Sequence, residues 1–146
     1  MEDMAVLKKM RLFQDLDTLE LIQISKLVRH HRFAPGEAAI KEGDHGNSLF
    51  VVKSGTFRAY VTRQNQQELA QFGPGESFGE LALWDAAPRS ATVEAQSAGE
   101  LLELTSEAFR QILSHSAELR ERLYENLIRD LVVKLRRTND KLLHLL

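Results

Sequence analysis

Cysteine is absent from the 146 residues. Disulfides, zinc–thiolate and iron–sulfur sites, and thiol catalysis are therefore excluded together, and a reducing, cytoplasmic setting is expected. Glycine and proline are absent from both ends: all eight Gly and all three Pro fall between Pro35 and Gly99. Both residues punctuate turns and are costly inside helices. The distribution predicts a helix, then a turn-rich β region, then a helix. Long apolar runs are missing too. None approaches the ~18 residues that a bilayer span needs. Glu2, Asp3, Lys8, Lys9 and Arg11 interrupt the N-terminus where a signal peptide would be apolar. Nor is there an excess of one charge. Lys and Arg number 19, Asp and Glu 21, for a net charge of −2, so no global positive field gathers nucleic-acid phosphates. What remains is 43% hydrophobic and 27% charged, the make-up of one folded domain with, at most, a helical appendage.

The N-terminal part begins with a short helix from about Glu2 to Met10. Asp17 then precedes Glu20 by three residues, a capping-box variant, and Leu21, Ile24 and Val28 follow at helical spacing. The middle shows short β runs: 31–33, 38–41, 49–52, 56–62, 68–72, 92–95 and 101–104, with a hairpin turn at Gln64-Asn65-Gln66. Strands at this spacing point to a small antiparallel barrel or jelly roll. After Leu104, Thr105 or Ser106 caps a short helix carrying Phe109, Ile112 and Leu113, and a long helix runs from about Ala117 to the end. Residues 1–116 read as the β-roll with its N-terminal helices, and 117–146 as a dimerisation or lid helix.

The segment Phe78 to Val93 carries the chemistry. Gly79 lets the backbone approach something closely. Glu80 to Trp84 suits one helical turn whose free N–H groups face an anion. Arg89 stands at the entry to an apolar strand, where a guanidinium needs a partner, and phosphate or carboxylate matches its fork. On these residues alone, Glu80 and Arg89 could equally pair with each other on the surface.

This segment, Phe78-Gly79-Glu80-Leu81-Ala82-Leu83 followed by Pro88-Arg89-Ser90-Ala91-Thr92, resembles the phosphate-binding cassette of the cyclic-nucleotide-binding domain family. That family includes catabolite-activator-type regulators and the regulatory subunits of cAMP-dependent kinase. Glu42-Gly43-Asp44 and Leu49 to Gly55 look like the family's early β-roll. The resemblance implies a jelly-roll sensor domain, not an enzyme, that binds cAMP, with cGMP possible, and signals through its C-terminal helix. It assigns Arg89 to the cyclic phosphate and Glu80 to the ribose 2′-hydroxyl. Gly79 would contact the ribose, Ala82 would give a backbone N–H to the phosphate, and Ser90 would add a second phosphate donor. Leu81 and Ala91 belong to the same cassette, and Leu69 matches an apolar position near the base.

The long helix holds a second pattern. Tyr124, Ile128, Leu131, Leu135, Thr138, Leu142 and Leu145 step by four and three, three heptads of a/d positions. Leu119, Leu123 and Leu127 form a separate stripe. One face can dock on the β-roll while the other meets a partner helix in a parallel homodimer. Thr138, the polar member of the seam, resembles the hydroxyl residue that meets the adenine in catabolite-activator-type helices.

Other classes fit less well. His30, His31, His45, His115 and His144 form no set with metal-ligand spacing. No base–nucleophile pair suggests a hydrolase. Lys134, Arg136, Arg137 and Lys141 read as a solvated helix face, and the chain reaches Leu146 before any helix-turn-helix, so direct DNA binding is not expected of it. The alternative from another class is a degenerate domain that binds no nucleotide and serves as a dimerisation or interaction module.

Overall fold

A computed structural model describes residues 2–62, 67–85 and 87–146. The hairpin turn expected at 64–66 lies outside these. Chain order is α1 (Glu2–Lys9), a 3-10 turn (Arg11–Phe13), α2 (Thr18–Leu27), then β1 (Arg29–Phe33), β2 (Ala38–Ile40), β3 (Ser48–Ser54), β4 (Phe57–Val61), β5 (Gln67–Phe72) and β6 (Ser77–Phe78). A second 3-10 turn (Glu80–Leu83), β7 (Thr92–Ala95), β8 (Gly99–Thr105), α3 (Ser106–Leu113) and α4 (Ala117–Leu145) complete it.

The strands form two antiparallel four-stranded sheets, ordered β1-β8-β3-β6 and β2-β7-β4-β5. The expected jelly roll is thus two facing sheets. Among the described residues no ladder closes them into a barrel. β6 was not foreseen, because two residues show no alternation.

Two cores follow from the period of two along a strand. Phe50 and Val52 of β3 point between the sheets, with Phe57, Phe78, Val93 and Leu101. Leu49 and Val51 point the other way, onto a helical layer holding Leu7, Leu21, Ile24, Phe109 and Leu123. β3 is therefore buried on both faces.

Local signals set the helix starts. Glu20 N–H donates to Asp17 Oδ1 at 2.8 Å and Asp17 N–H to Glu20 Oε1 at 2.9 Å, the reciprocal box its spacing predicts. Thr105 caps α3 and Ser116 caps α4. The α4 stripe Leu119–Leu123–Leu127 is buried as expected, and it continues through two polar residues, Asn126 and Asp130. Asn126 donates to the carbonyls of Leu12 at 3.0 Å and Gln14 at 2.8 Å, which ties the helix to the α1–α2 connection. Beyond Leu131 the helix leaves this apolar core. At 29 residues it is ~44 Å long. Among the described residues, no helix is long and apolar enough to cross a membrane.

Leu123 is fully buried while Leu19 on α2 is exposed. Leu123→Ala should cost about 2–5 kcal/mol and Leu19→Ala about 0.5 or less in urea unfolding. Equal midpoints would mean that α4 is not docked on the roll in solution.

Candidate functional site

The site is built around one cation. Arg89 lies just before β7, and its backbone is locked to the 43–47 loop: its N–H donates to Asp44 O and its carbonyl accepts from Gly43 N–H, both at 2.8 Å. Its side chain runs inward. Nη2 donates to Ser48 O at 3.0 Å and Nη1 to Gly79 O at 3.4 Å. Two glycines make room for it. A Cβ on Gly46 would sit 2.7 Å from Nε and Nη2, and one on Gly79 would sit 2.9 Å from Nη1. Gly79 also holds φ at +83°, the left-handed conformation that opens the 3-10 turn.

Glu80 does not pair with Arg89. It is 8% exposed, and its Oε1 accepts from Lys134 Nζ at 2.8 Å. Its Oε2 is buried with no hydrogen-bond partner among the described residues. Lys134 was expected on a solvated face; instead it enters the site. Its ammonium also donates to Ser77 O at 2.9 Å and lies 3.0 Å from Asp130 Oδ2. Lys134 lies four residues before Thr138, on the same helix face, and that face turns toward the β-roll rather than toward water.

A cavity of about 440 Å³ opens between these groups, within the usual range for small-molecule sites. Gly79, Glu80, Leu81, Ala82, Arg89, Ser90, Ala91, Leu69 and Thr138 all line it, with Lys134. The nine positions singled out in the sequence are thus brought together. Leu69 arrives through a β-bulge: Ala59 pairs with Ala70 and Tyr60 with Glu68, so Leu69 is the extra residue, and bulges commonly re-aim a side chain beside a site. Thr138 reaches it from α4 while its hydroxyl donates to Lys134 O at 3.0 Å. Ala82 N–H, expected to face an anion, donates to Gly79 O at 3.2 Å. Lys134 and Thr138 line one side of the cavity from α4, and Lys141, further along the helix, meets the Leu69 carbonyl.

The electrostatics suit an anion bearing a hydroxyl. Burial pushes the Arg89 guanidinium below its ordinary value, and the negative charge of Glu103 opposes that shift. Among the described residues no carboxylate lies within ion-pair distance of Arg89. A half-buried cation without a counter-ion sits beside a buried carboxylate oxygen without a donor. The first calls for an anion, the second for a hydrogen-bond donor such as a hydroxyl.

The profile described as the cyclic nucleotide-binding domain matches residues 30–116. The chain belongs to that family. It is similar to the cAMP-dependent protein kinase type II regulatory subunit of Drosophila melanogaster, with 32% identity over 121 residues, 83% of this chain and 31% of the relative. The chain therefore spans about a third of that protein's length. Among solved structures, the N-terminal domain of a transcriptional regulator from Streptomyces coelicolor is 32% identical, with a TM-score of 0.79 and coverage of 94% of each chain. The regulatory domain of Toxoplasma gondii PKA with cAMP is 33% identical, TM-score 0.68, covering 76% of this chain and 43% of that one.

Sequence reasoning missed Gly46, Ser48, Lys134 and Glu103. Glu103 on β8 accepts from Ser48 Oγ at 2.5 Å and contacts His31 Nε2 at 2.8 Å. The carboxylate stands between the serine and the imidazole, so His31 does not take the serine proton as a hydrolase triad would require. Burial pushes the Glu103 carboxyl up, but bonds from Ser48 and His31 and the charges of His31 and Arg29 outweigh it and hold it below the ordinary value. Its stabilisation is therefore fully present above the unfolded carboxylate value of about 4.3, and is lost as pH falls through the lower folded value. Urea midpoints of the parent and of Glu103→Gln should differ at about pH 6 and converge in stronger acid. Midpoints that run parallel through the acid range would refute this.

Proposed function

We propose that this chain is a cyclic-nucleotide sensor that takes cAMP in the cavity, with cGMP as a possible second ligand, and does not cleave it. The observation that carries the reading is the pairing of an uncompensated Arg89 with the unpartnered Oε2 of Glu80 across one cavity. Arg89 receives the cyclic phosphate, with Ser90 beside it. Glu80 Oε2 accepts the ribose 2′-hydroxyl, with Gly79 and Ala82 along the same edge. Leu69 and Thr138 lie toward the base. The cAMP-containing Toxoplasma relative supports the choice of nucleotide. The regulatory relatives and the cysteine-free chain support a cytoplasmic sensor rather than an enzyme.

Titration calorimetry tests it. The parent should bind cAMP, and Arg89→Ala should weaken binding by roughly 30-fold to several-thousand-fold, the cost of removing one partner of a buried charge pair. Glu80→Ala should cost less, since its partner is a neutral hydroxyl. Arg89→Ala binding as tightly as the parent would refute the site. No heat with cAMP or cGMP would leave the interaction-module reading.

The output runs through α4. Ile128 and Leu135 are each 61% exposed, and with Tyr124 and Leu142 they form an apolar face turned away from the core. Leu131 leans partly on the core. This face meets a second copy in a parallel homodimer, with Thr138 shared between seam and cavity wall. Ile128→Glu with Leu135→Glu should give a folded monomer by sedimentation, because charge at a/d positions disrupts the seam and not the roll. A parent that stays monomeric at high micromolar concentration would overturn the dimer.

A further inference from the structure

Arg89 also lines a second, smaller cavity of about 210 Å³, with Asp44, His45, Asn47, Ser48 and Glu103 among its other walls. Across it Arg89 and Glu103 face each other without forming an ion pair. What joins them is Ser48. Its carbonyl accepts from Arg89 Nη2 at 3.0 Å, and its hydroxyl donates to Glu103 Oε2 at 2.5 Å. Ser48 is 3% exposed and opens β3, where it pairs with Thr105, and Phe50 of the same strand stands opposite Glu103. Glu103 is held from its other side by His31 on β1 at 2.8 Å.

The nearby charges narrow the choice. Glu80 is committed to Lys134, and Asp44 meets Arg89 through its main-chain carbonyl. Arg29 and His31 stabilise the ionised form of Glu103. Among the described residues, Glu103 is the carboxylate whose charge acts on Arg89. Direct contact would have tied the guanidinium up in a salt bridge that a phosphate must break. A carboxylate one residue removed fixes the acceptor carbonyl and leaves the remaining donors free.

We infer that Glu103 is a positioning residue for Arg89: by gripping the Ser48 hydroxyl it holds the Ser48 carbonyl where it keeps the guanidinium turned toward the main cavity. The inference rests on the proposed role of Arg89 as the phosphate ligand, and its geometric part is tested without nucleotide. Glu103→Leu removes the grip. Glu103→Gln keeps the size and can still accept from Ser48.

The test is a double-mutant cycle of the parent, Glu103→Leu, Arg89→Met and the double variant. Each is unfolded in urea and titrated calorimetrically with cAMP, and Glu103→Gln is run beside them. Coupled neighbours deviate from additivity. Glu103→Leu should therefore lower the folding equilibrium constant at least about 3-fold more in the parent than in the Arg89→Met background. cAMP affinity should fall about 5- to 30-fold in Glu103→Leu and stay within about 3-fold of the parent in Glu103→Gln. Additive unfolding effects would overturn the inference, as would parent-like affinity in Glu103→Leu or an equal loss in Glu103→Gln. If the parent takes up neither cAMP nor cGMP, the sensor reading falls, and the unfolding cycle alone decides the coupling.

Discussion

An arginine taken partly out of water with no carboxylate in contact, among the described residues, must be held by something other than an ion pair, and this constraint organises the molecule. Arg89 is held by two main-chain carbonyls, Ser48 O and Gly79 O. Carbonyls stabilise a guanidinium without neutralising it, so the positive potential stays directed into the cavity. The geometry requires Gly46 and Gly79 to lack side chains. It also needs the start of β3 and the 3-10 turn to converge on one point, which the two-sheet arrangement brings about.

The second organising contact is Lys134. One ammonium meets Ser77, Glu80 and Asp130, and so fastens the far half of α4 to the turn that forms the cavity floor. The near half is fastened by apolar burial and by Asn126. The helix thus changes its mode of attachment along its length, from greasy and permanent to polar and exchangeable. In the proposed complex a ligand hydroxyl takes Glu80 Oε2 while Lys134 holds Oε1, which puts the binding event and the helix attachment on one residue.

The cassette was legible because its residues, from Phe78 to Thr92, are nearly contiguous and resemble the family's pattern; their types alone left a surface pair of Glu80 and Arg89 open. The helix caps and most strands were legible from spacing and alternation. Three things were not. β6 is too short to carry a period. Leu69 was identified through resemblance, but the bulge that turns it inward depends on register with β4, which no local pattern specifies. Ser48, Glu103 and Lys134 lie outside the cassette in sequence and come to the site only through strand pairing and helix docking. Lys134 was misread because a lysine in a charged helix reads as solvated unless the side facing the roll is known. The i+4 relation to Thr138 was the available clue.

Trp84, the only tryptophan in the chain, ends the 3-10 turn. Its ring lies edge-on to Phe109 of α3 at 6.0 Å and tilted against Tyr124 of α4 at 5.9 Å. It is half exposed, at the junction of the turn, the short helix and the long one. The molecule therefore carries its own optical gauge. Any shift of the turn relative to either helix changes the polarity and ring contacts around a single indole, and its emission reports that movement with no label attached and no second fluorophore of its kind to separate.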